Sequence, residues 1–401
     1  MDLLTGKFLW QENVARPVLC SEPLPAFVEI VVVGGGISGA IIANALIEAG
    51  HQVIVLEKRQ SLASGSTLAS TAILQFELDT SLTELSEKIG AANARIVYKR
   101  SYNAWKKLCT LAEQFGDALE FSRRPSLCLA SSRKDEQTLK LEAQALSNEG
   151  FDCEILSESD ITNRYPFVAP AALFHTQAAQ FDPVRFTQQL FARVLAQGGR
   201  IFNEVQVERL RCSNVGPVTL ELADGRQLLA GRVVFATGYE TVKFFNPESA
   251  KLFSSYAAAT FPCKEAEVWQ DKAVIWETAR PYYYLRVATG PRIIIGGGDL
   301  PFRNPWMRDV LLPLKRLQLH RRLKELLPDS SLKFEYSWAG TFGESEDGMP
   351  FMGEVKSMPG VFLVIGCGGN GITFSMLAAE LVQKWLVGVD DELTAIFSVE
   401  R

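Results

Sequence analysis

Thirty residues near the start of the chain, 28–57 (VEIVVVGGGISGAIIANALIEAGHQVIVLE), leave it few folds to choose from. Val28–Val33 is an apolar, β-branched run of the kind that forms a strand buried in a parallel sheet. Gly34, Gly36 and Gly39 follow at G-x-G-x-x-G spacing, Ile37–Ala49 reads as a helix stopped by Gly50, and His51–Leu56 reads as a second strand ending at Glu57. In such a unit the first glycine permits the tight turn, the second lets backbone approach a pyrophosphate, and the third lets helix and strand pack closely. The free N–H groups at the helix start then face the anion. Glu57 falls where an acid accepts hydrogen bonds from ribose hydroxyls. Strand, glycines, helix, strand and acid in one register point to a bound adenine dinucleotide. Ile30–Ile47 is also uncharged over eighteen residues, which meets the crude length for a membrane span. The glycine triplet in its middle argues against that reading.

At 401 residues the chain has room for two domains. Hydrophobic residues at 47% and charged residues at 22% fit an ordinary enzyme with a sizeable core. A net charge of −5 gives no reason to expect nucleic acid or an anionic membrane as partner. The seven cysteines (Cys20, Cys109, Cys128, Cys153, Cys212, Cys263 and Cys367) are scattered and form no C-x-x-C pair, so free thiols in a reducing compartment are expected. The three histidines lie in separate segments, which supports neither a histidine metal site nor a Ser-His-Asp triad. The first residues carry no secretory pattern, and the cytoplasm is the expected location.

Residues 1–26, with three prolines, read as an irregular arm. One helix is expected from about Ser81 to Gln114, two short strands within 119–131, and a helix over 181–198 with Pro183 near its first turn. Strand-like segments dominate 245–332 before a basic amphipathic helix, whose charges are expected to form a solvated face. The strand Val361–Ile365, a glycine loop and a long helix then repeat the opening pattern. Two nucleotide-binding units bracketing a β-rich insert imply an α/β architecture: a discontinuous Rossmann-like domain (27–110, 165–244 and 333–401) and a β-sheet-rich substrate domain (111–164 and 245–332).

The order of VVVGGGISG…VLE, GSTLAST, FDPVRF, VVFATGY, YLRVATGPRIIIGGGD, WAGTF…DGMPFMG and GCGGNGI resembles the D-amino-acid-oxidase-like superfamily of FAD-dependent oxidoreductases over about residues 27–390. The arm and the YLR segment are most similar to its glycine, sarcosine and γ-glutamylputrescine oxidase group. The resemblance implies non-covalent FAD. Gly34, Gly36, Ile37, Ser38 and Gly39 would cradle its pyrophosphate, and Glu57 with Lys58 would meet the adenosine ribose. Ser64, Ser66 and Thr67 would serve the flavin side of the pyrophosphate, and Val207 the adenine. Thr237 and Gly238 would close beneath the dinucleotide, with Gly340 nearby. Gly369, Asn370, Gly371, Ile372 and Thr373 would open the last helix toward the edge of the ring that becomes negative on reduction.

The implied reaction moves a hydride from a C–H beside an amine nitrogen to the flavin, giving an imine that hydrolyses; oxygen or a quinone would accept the electrons. Arg286, Tyr284 and Trp338 are the candidate substrate-facing residues. By period two, Tyr282, Tyr284 and Arg286 share a face. Arg286 binds an anionic substrate group or the flavin itself, or else pairs with a carboxylate such as Glu277, and Trp338 and Trp276 either wall a pocket or belong to the core. Phe342 stands where glycine- and D-amino-acid-oxidase-like members carry a carboxylate-binding Arg, and Thr373 where sarcosine-oxidase-like members carry a Lys. With no Cys between 264 and 366, covalent flavin is not expected. Two alternatives stand beside this reading: an NAD(P)-dependent dehydrogenase and a non-catalytic FAD-binding module. Gly36→Val is expected to abolish dinucleotide binding by blocking backbone approach, measured as loss of the flavin band in purified protein. Full flavin occupancy in that variant would remove the fingerprint from the argument.

Overall fold

Strand Phe27–Val33 sits near the centre of an eight-stranded sheet because nearly every side chain on it is apolar and both of its faces are covered. Ile30 and Val32 point into the cluster built with the helices, whereas Val31 and Val33 point into the cluster on the opposite face. The computed structural model describes residues 2–14, 23–213, 216–245, 251–264, 268–269, 271–328, 331–366 and 368–401. Cys20 and Cys367 therefore lie outside the described residues.

Five strands of this sheet run parallel, in the order Val361–Ile365, Gln227–Phe235, Phe27–Val33, Val53–Leu56 and Arg200–Phe202. Phe351–Glu354 closes one edge antiparallel, and Val207–Arg211 with Val218–Leu222 extends from Gln227–Phe235. Helix Ile37–Glu48 packs against helices Pro183–Ala196 and Gly371–Leu386. The uncharged run 30–47 is thus a strand and a helix on either side of the glycine turn, and no helix among the described residues is long and apolar enough to cross a membrane.

The second sheet has ten strands in the order Leu4–Lys7, Phe334–Glu344, Lys251–Thr260, Arg292–Pro301, Tyr283–Ala288, Val274–Glu277, Ser122–Leu129, Ala171–Gln180 and Ile73–Gln75, with Glu154–Ser157 also on Ala171–Gln180. Helix Pro305–Leu326 packs on it, and Leu319, Leu323 and Leu326 join its core.

Several local expectations change. The arm is not wholly irregular: Leu4–Lys7 is an edge strand, with Leu4 opposite Gly340. The helix expected over 81–114 is two helices, Leu82–Ile89 and Ala91–Glu113, divided at Gly90 with φ +86°. The buried Glu142 carboxylate accepts from the Leu82 and Thr83 amides and so fixes the first of them. The two strands expected within 119–131 are one, Ser122–Leu129, with a register shift at Pro125, whose missing N–H suits a bulge. The boundaries drawn at residues 165 and 333 assign Ala171–Gln180 and Phe334–Glu344 to the nucleotide-binding part. Both strands belong to the ten-stranded sheet, so sheet pairing divides the chain differently.

Candidate active site

A cavity of about 810 Å³ opens where the parallel strands end. Its floor includes Val33–Gly34, Leu56–Glu57, Ala236 and Val364, each at or just past a strand's C-terminal end. This is where open α/β sheets bind ligands.

The glycine turn shows what each position is for. A Cβ on Gly39 would lie 1.9 Å from the Gly34 carbonyl oxygen, and one on Gly34 (φ +119°) would lie 2.4 Å from the Ala236 oxygen. These two glycines are demanded by backbone packing. A Cβ on Gly36 would meet only Thr67 Oγ1, at 3.2 Å, so the rest of that space belongs to the cavity. Glu57 is buried, and its Oε2 accepts from the Gly35 amide at 2.7 Å while Oε1 accepts from the Arg59 amide at 2.8 Å. Lys58 and Arg59 also reach this end, each paired with Glu240, at 2.8 and 3.1 Å. The Ile37 amide donates to Thr67 Oγ1 at 3.0 Å, and the N-cap residue of helix Ile37–Glu48, Gly36, has no side chain to satisfy the amides that follow.

The last helix offers a second uncapped start on the same cavity. Gly369, Asn370, Gly371 and Ile372 line it, and the Asn370 side chain is used elsewhere: Oδ1 accepts from the Asp79 amide and Nδ2 donates to the Glu77 carbonyl. Ser38 Oγ and Ser375 Oγ, 2.7 Å apart, join the two helices. A glycine cradle open at Gly36, two uncapped helix starts and a buried acid together fit a dinucleotide cofactor.

Most of the expected cofactor contacts line this cavity, including Ser66, Val207, Thr237, Gly238 and Gly340. Three do not. Gly39 is buried in helix–strand packing, Ser64 Oγ donates to the Ser61 carbonyl at 2.6 Å, and Thr373 Oγ1 donates to the Gln75 carbonyl at 3.0 Å.

Arg286 requires the largest correction. It shares a strand face with Tyr282 and Tyr284, which line the cavity, but the cavity ends before reaching it. Its guanidinium is buried, donates to the carbonyls of Thr71 and Phe181, and lies 5.4 Å from the Trp10 ring centroid. Burial lowers its pKa to about 9, with Asp182 and Glu120 opposing that shift, so it remains a cation at neutral pH. Nor does it pair with Glu277, whose carboxylate is bonded to Arg322 and to the Tyr283 amide. Trp338 touches the cavity, yet its Nε1 donates to the Ala69 carbonyl at 2.8 Å, a packing role. Tyr284 keeps a place on the wall. Burial pushes its pKa up to about 12, against the lowering influence of the Thr71 and Ser255 side chains.

Two carboxylates that sequence reasoning did not single out also face this chamber. Asp79 accepts from the Tyr282 hydroxyl at 2.8 Å and from the Gly369 amide. Asp299 follows Gly297 and Gly298, both at positive φ, where strand Arg292–Pro301 shifts register against Lys251–Thr260. Its Oδ1 is buried without a hydrogen-bond partner. Burial raises its pKa to about 7; the Ser255 hydrogen bond lowers it, Asp79 and Glu344 raise it, and Lys315 lowers it. The signal for Asp299 was the third glycine of GGGD, since extra glycine within a strand marks a bulge.

A sequence profile of the FAD dependent oxidoreductase family (DAO) matches residues 29–385. This chain belongs to that family. FAD is therefore its cofactor, and the NAD(P) alternative is set aside. Glycine oxidase of Geobacillus kaustophilus (strain HTA426) is 24% identical over 390 residues, covering 93% of this chain and 97% of that one. Gamma-glutamylputrescine oxidoreductase of Escherichia coli (strain K12) is 23% identical over 384 residues, covering 90% of this chain and 84% of the relative. The crystal structure of the Geobacillus kaustophilus glycine oxidase shares the fold with a TM-score of 0.78 at 20% identity, covering 94% of this chain and 99% of that one.

Arg286→Ala is expected to cost about 3 kcal/mol of unfolding free energy, because two buried carbonyls lose their donor. Chemical denaturation measures this, and an unchanged midpoint would show that the guanidinium contributes nothing. Asp299 sets a pH-dependent expectation. Folded, it holds its proton to about pH 7; unfolded, it releases it near about pH 4. Between those values the unfolded state binds fewer protons, so this group lowers stability as pH rises and adds no further change above the window. The melting temperature of Asp299→Asn should therefore gain on wild type across that window and then run parallel to it. Parallel curves throughout would refute the raised pKa.

Proposed function

We propose that this FAD-dependent enzyme oxidises the C–N bond of an amine or amino acid. The observation that supports this most is one continuous cavity joining the glycine cradle to a chamber walled by Tyr282, Tyr284 and Trp276. FAD, when bound, supplies the hydride acceptor. The protein's part is orientation and electrostatics. Gly34, Gly36, Ile37 and Ser38 would hold the pyrophosphate through backbone and helix start, Glu57 the ribose, and Val207 the adenine. Ser66, Thr67, Thr237, Gly238, Gly340 and Gly369 would line its path, and Asn370–Ile372 would present amides to the ring edge where negative charge develops.

The ten-stranded sheet would form the substrate side. Tyr284 would wall the substrate beside Thr71 and Ser255, while Arg286 and Trp338 act through the backbone they bind. The resulting imine would hydrolyse to a carbonyl compound, and oxygen or a quinone would take the electrons. A reducing compartment such as the cytoplasm suits the free thiols of Cys109 and Cys128, both buried and with raised pKa values.

The test is an anaerobic absorbance screen of the flavin-loaded protein against amines, N-methyl amino acids and D-amino acids. Bleaching of the oxidised-flavin band by any of these classes is the expected result. Bound flavin that no amine or amino acid bleaches would overturn the proposal in favour of a non-catalytic FAD-binding module.

A further inference from the structure

We infer that the substrate chamber selects a cationic amine lacking a carboxylate on the carbon that bears its nitrogen, and that Asp299 receives the ammonium group. This inference rests on the amine-oxidising reading above and narrows it. Four observations carry it. Asp299 lines the cavity with a buried Oδ1 that no group in the protein satisfies. An oxygen so placed needs a donor, and an ammonium supplies both the hydrogen bond and the charge. Three aromatic rings stand around the same chamber: Tyr282 lies 5.9 Å from Tyr284 and 6.5 Å from Trp276, centroid to centroid. Aromatic faces attract a cation and do nothing for a carboxylate.

The cations available are the third observation. Among the described residues, the Lys and Arg side chains that line the cavity are Lys58 and Arg59, both at the Glu57 end and both paired with Glu240. Finally, Phe342, on the wall, packs against Phe253 with ring centroids 5.8 Å apart, which leaves that position without charge. An anionic substrate group would meet the carboxylates of Asp79 and Asp299, and the cations nearby are already engaged: Lys315 with the Gly298 carbonyl, and Arg280 with the Asp79 carbonyl and the Tyr282 ring, 5.0 Å from its centroid.

The groups facing Asp299 set how it responds to pH. Burial opposes its ionisation most, Asp79 and Glu344 repel the ionised form, and Ser255 and Lys315 favour it. Lys315 donates to the Gly298 carbonyl at 2.6 Å. Ionised Asp299 is the form that binds a cation, so affinity should rise as pH passes through the neutral range.

The test is a spectral titration of the flavin-loaded protein with tert-butylammonium chloride, which keeps its N–H donors but has no hydrogen on the carbon that bears nitrogen, and with sodium acetate. Perturbation of the flavin band reports binding at pH 6 and pH 8, and flavin content checks that each variant is folded. The tert-butylammonium ion should bind more tightly at the higher pH, and acetate should not compete. Asp299→Asn should weaken the cation by about ten- to a hundredfold and flatten the pH dependence, with Asp299→Glu recovering part of the affinity. Tighter binding of acetate, or an unchanged cation affinity in Asp299→Asn, would overturn the inference. The two proposals fail separately. Flavin bleached by amino acids with Asp299→Asn unaltered would sink this one alone, whereas cation binding without bleaching by any amine would sink the reading of the reaction.

Discussion

Three consecutive carbonyls, on Ala69, Ser70 and Thr71, hold the two halves of this molecule together at the cavity. Trp338 Nε1 takes the first, Trp10 Nε1 the second and the Arg286 guanidinium the third. The donors come from three places: the central part of strand Phe334–Glu344, the arm, and strand Tyr283–Ala288. The acceptors come from one short stretch that leaves the helix Ser66–Ala69, whose Thr67 hydroxyl accepts from the Ile37 amide. Each donor is a large, buried side chain whose polar atom needs a partner, so neither side of this arrangement is stable without the other. A buried guanidinium whose pKa falls to about 9 is costly, and its retention here is explained by the backbone it positions.

That arrangement bears on the cofactor site because Ser70, Thr71, Ala72 and Ile73 continue along the cavity wall. The opposite wall is held by a second set of bonds. Asp79 binds the Gly369 amide and the Tyr282 hydroxyl, and Asn370 binds back to the Glu77 carbonyl. The glycine loop before the last helix is therefore tied to the same strand that carries Tyr284. Helix Ile37–Glu48 and helix Gly371–Leu386 are joined by Ser38 with Ser375 and by Gln383 with the Ala45 carbonyl. Two helix starts are thereby held to one cavity, and their orphan amides are left to a ligand in place of side-chain caps.

How much of this can be read from the chain follows from the range of each signal. The nucleotide-binding sheet is legible because glycine spacing, strand period and the acid at Glu57 are local patterns within thirty residues. The membership of the second sheet is not. Leu4–Lys7 pairs with Phe334–Glu344 from the far end of the chain, and nothing in LTGK specifies that partner. The helix break at Gly90 is hidden by the alanines that follow, which are good helix formers. Arg286 misleads for a related reason. Period two puts it correctly on the face of Tyr282 and Tyr284, but a face is longer than a cavity, and only packing decides where the cavity stops.

Asp299 shows the converse case, in which a local rule gives the wrong face. In strand Arg292–Pro301, Ile293 and Ile295 point into the core of the ten-stranded sheet, while Ile294 packs on the other side. Strict alternation would send residue 299 to the same side as Ile293 and Ile295, where an aspartate would be buried among apolar side chains. The bulge at Gly297 and Gly298 adds one residue against Lys251–Thr260 and reverses the alternation, bringing Asp299 to the side of Ser255 and the cavity. A side chain at Gly296 would strike the Tyr284 hydroxyl, at 2.3 Å, so the same glycine run that turns Asp299 inward also makes room for the ring beside it. The three glycines thus account for the tyrosine and the carboxylate together: remove the bulge and the chamber loses its unpaired oxygen, fill Gly296 and it loses its wall.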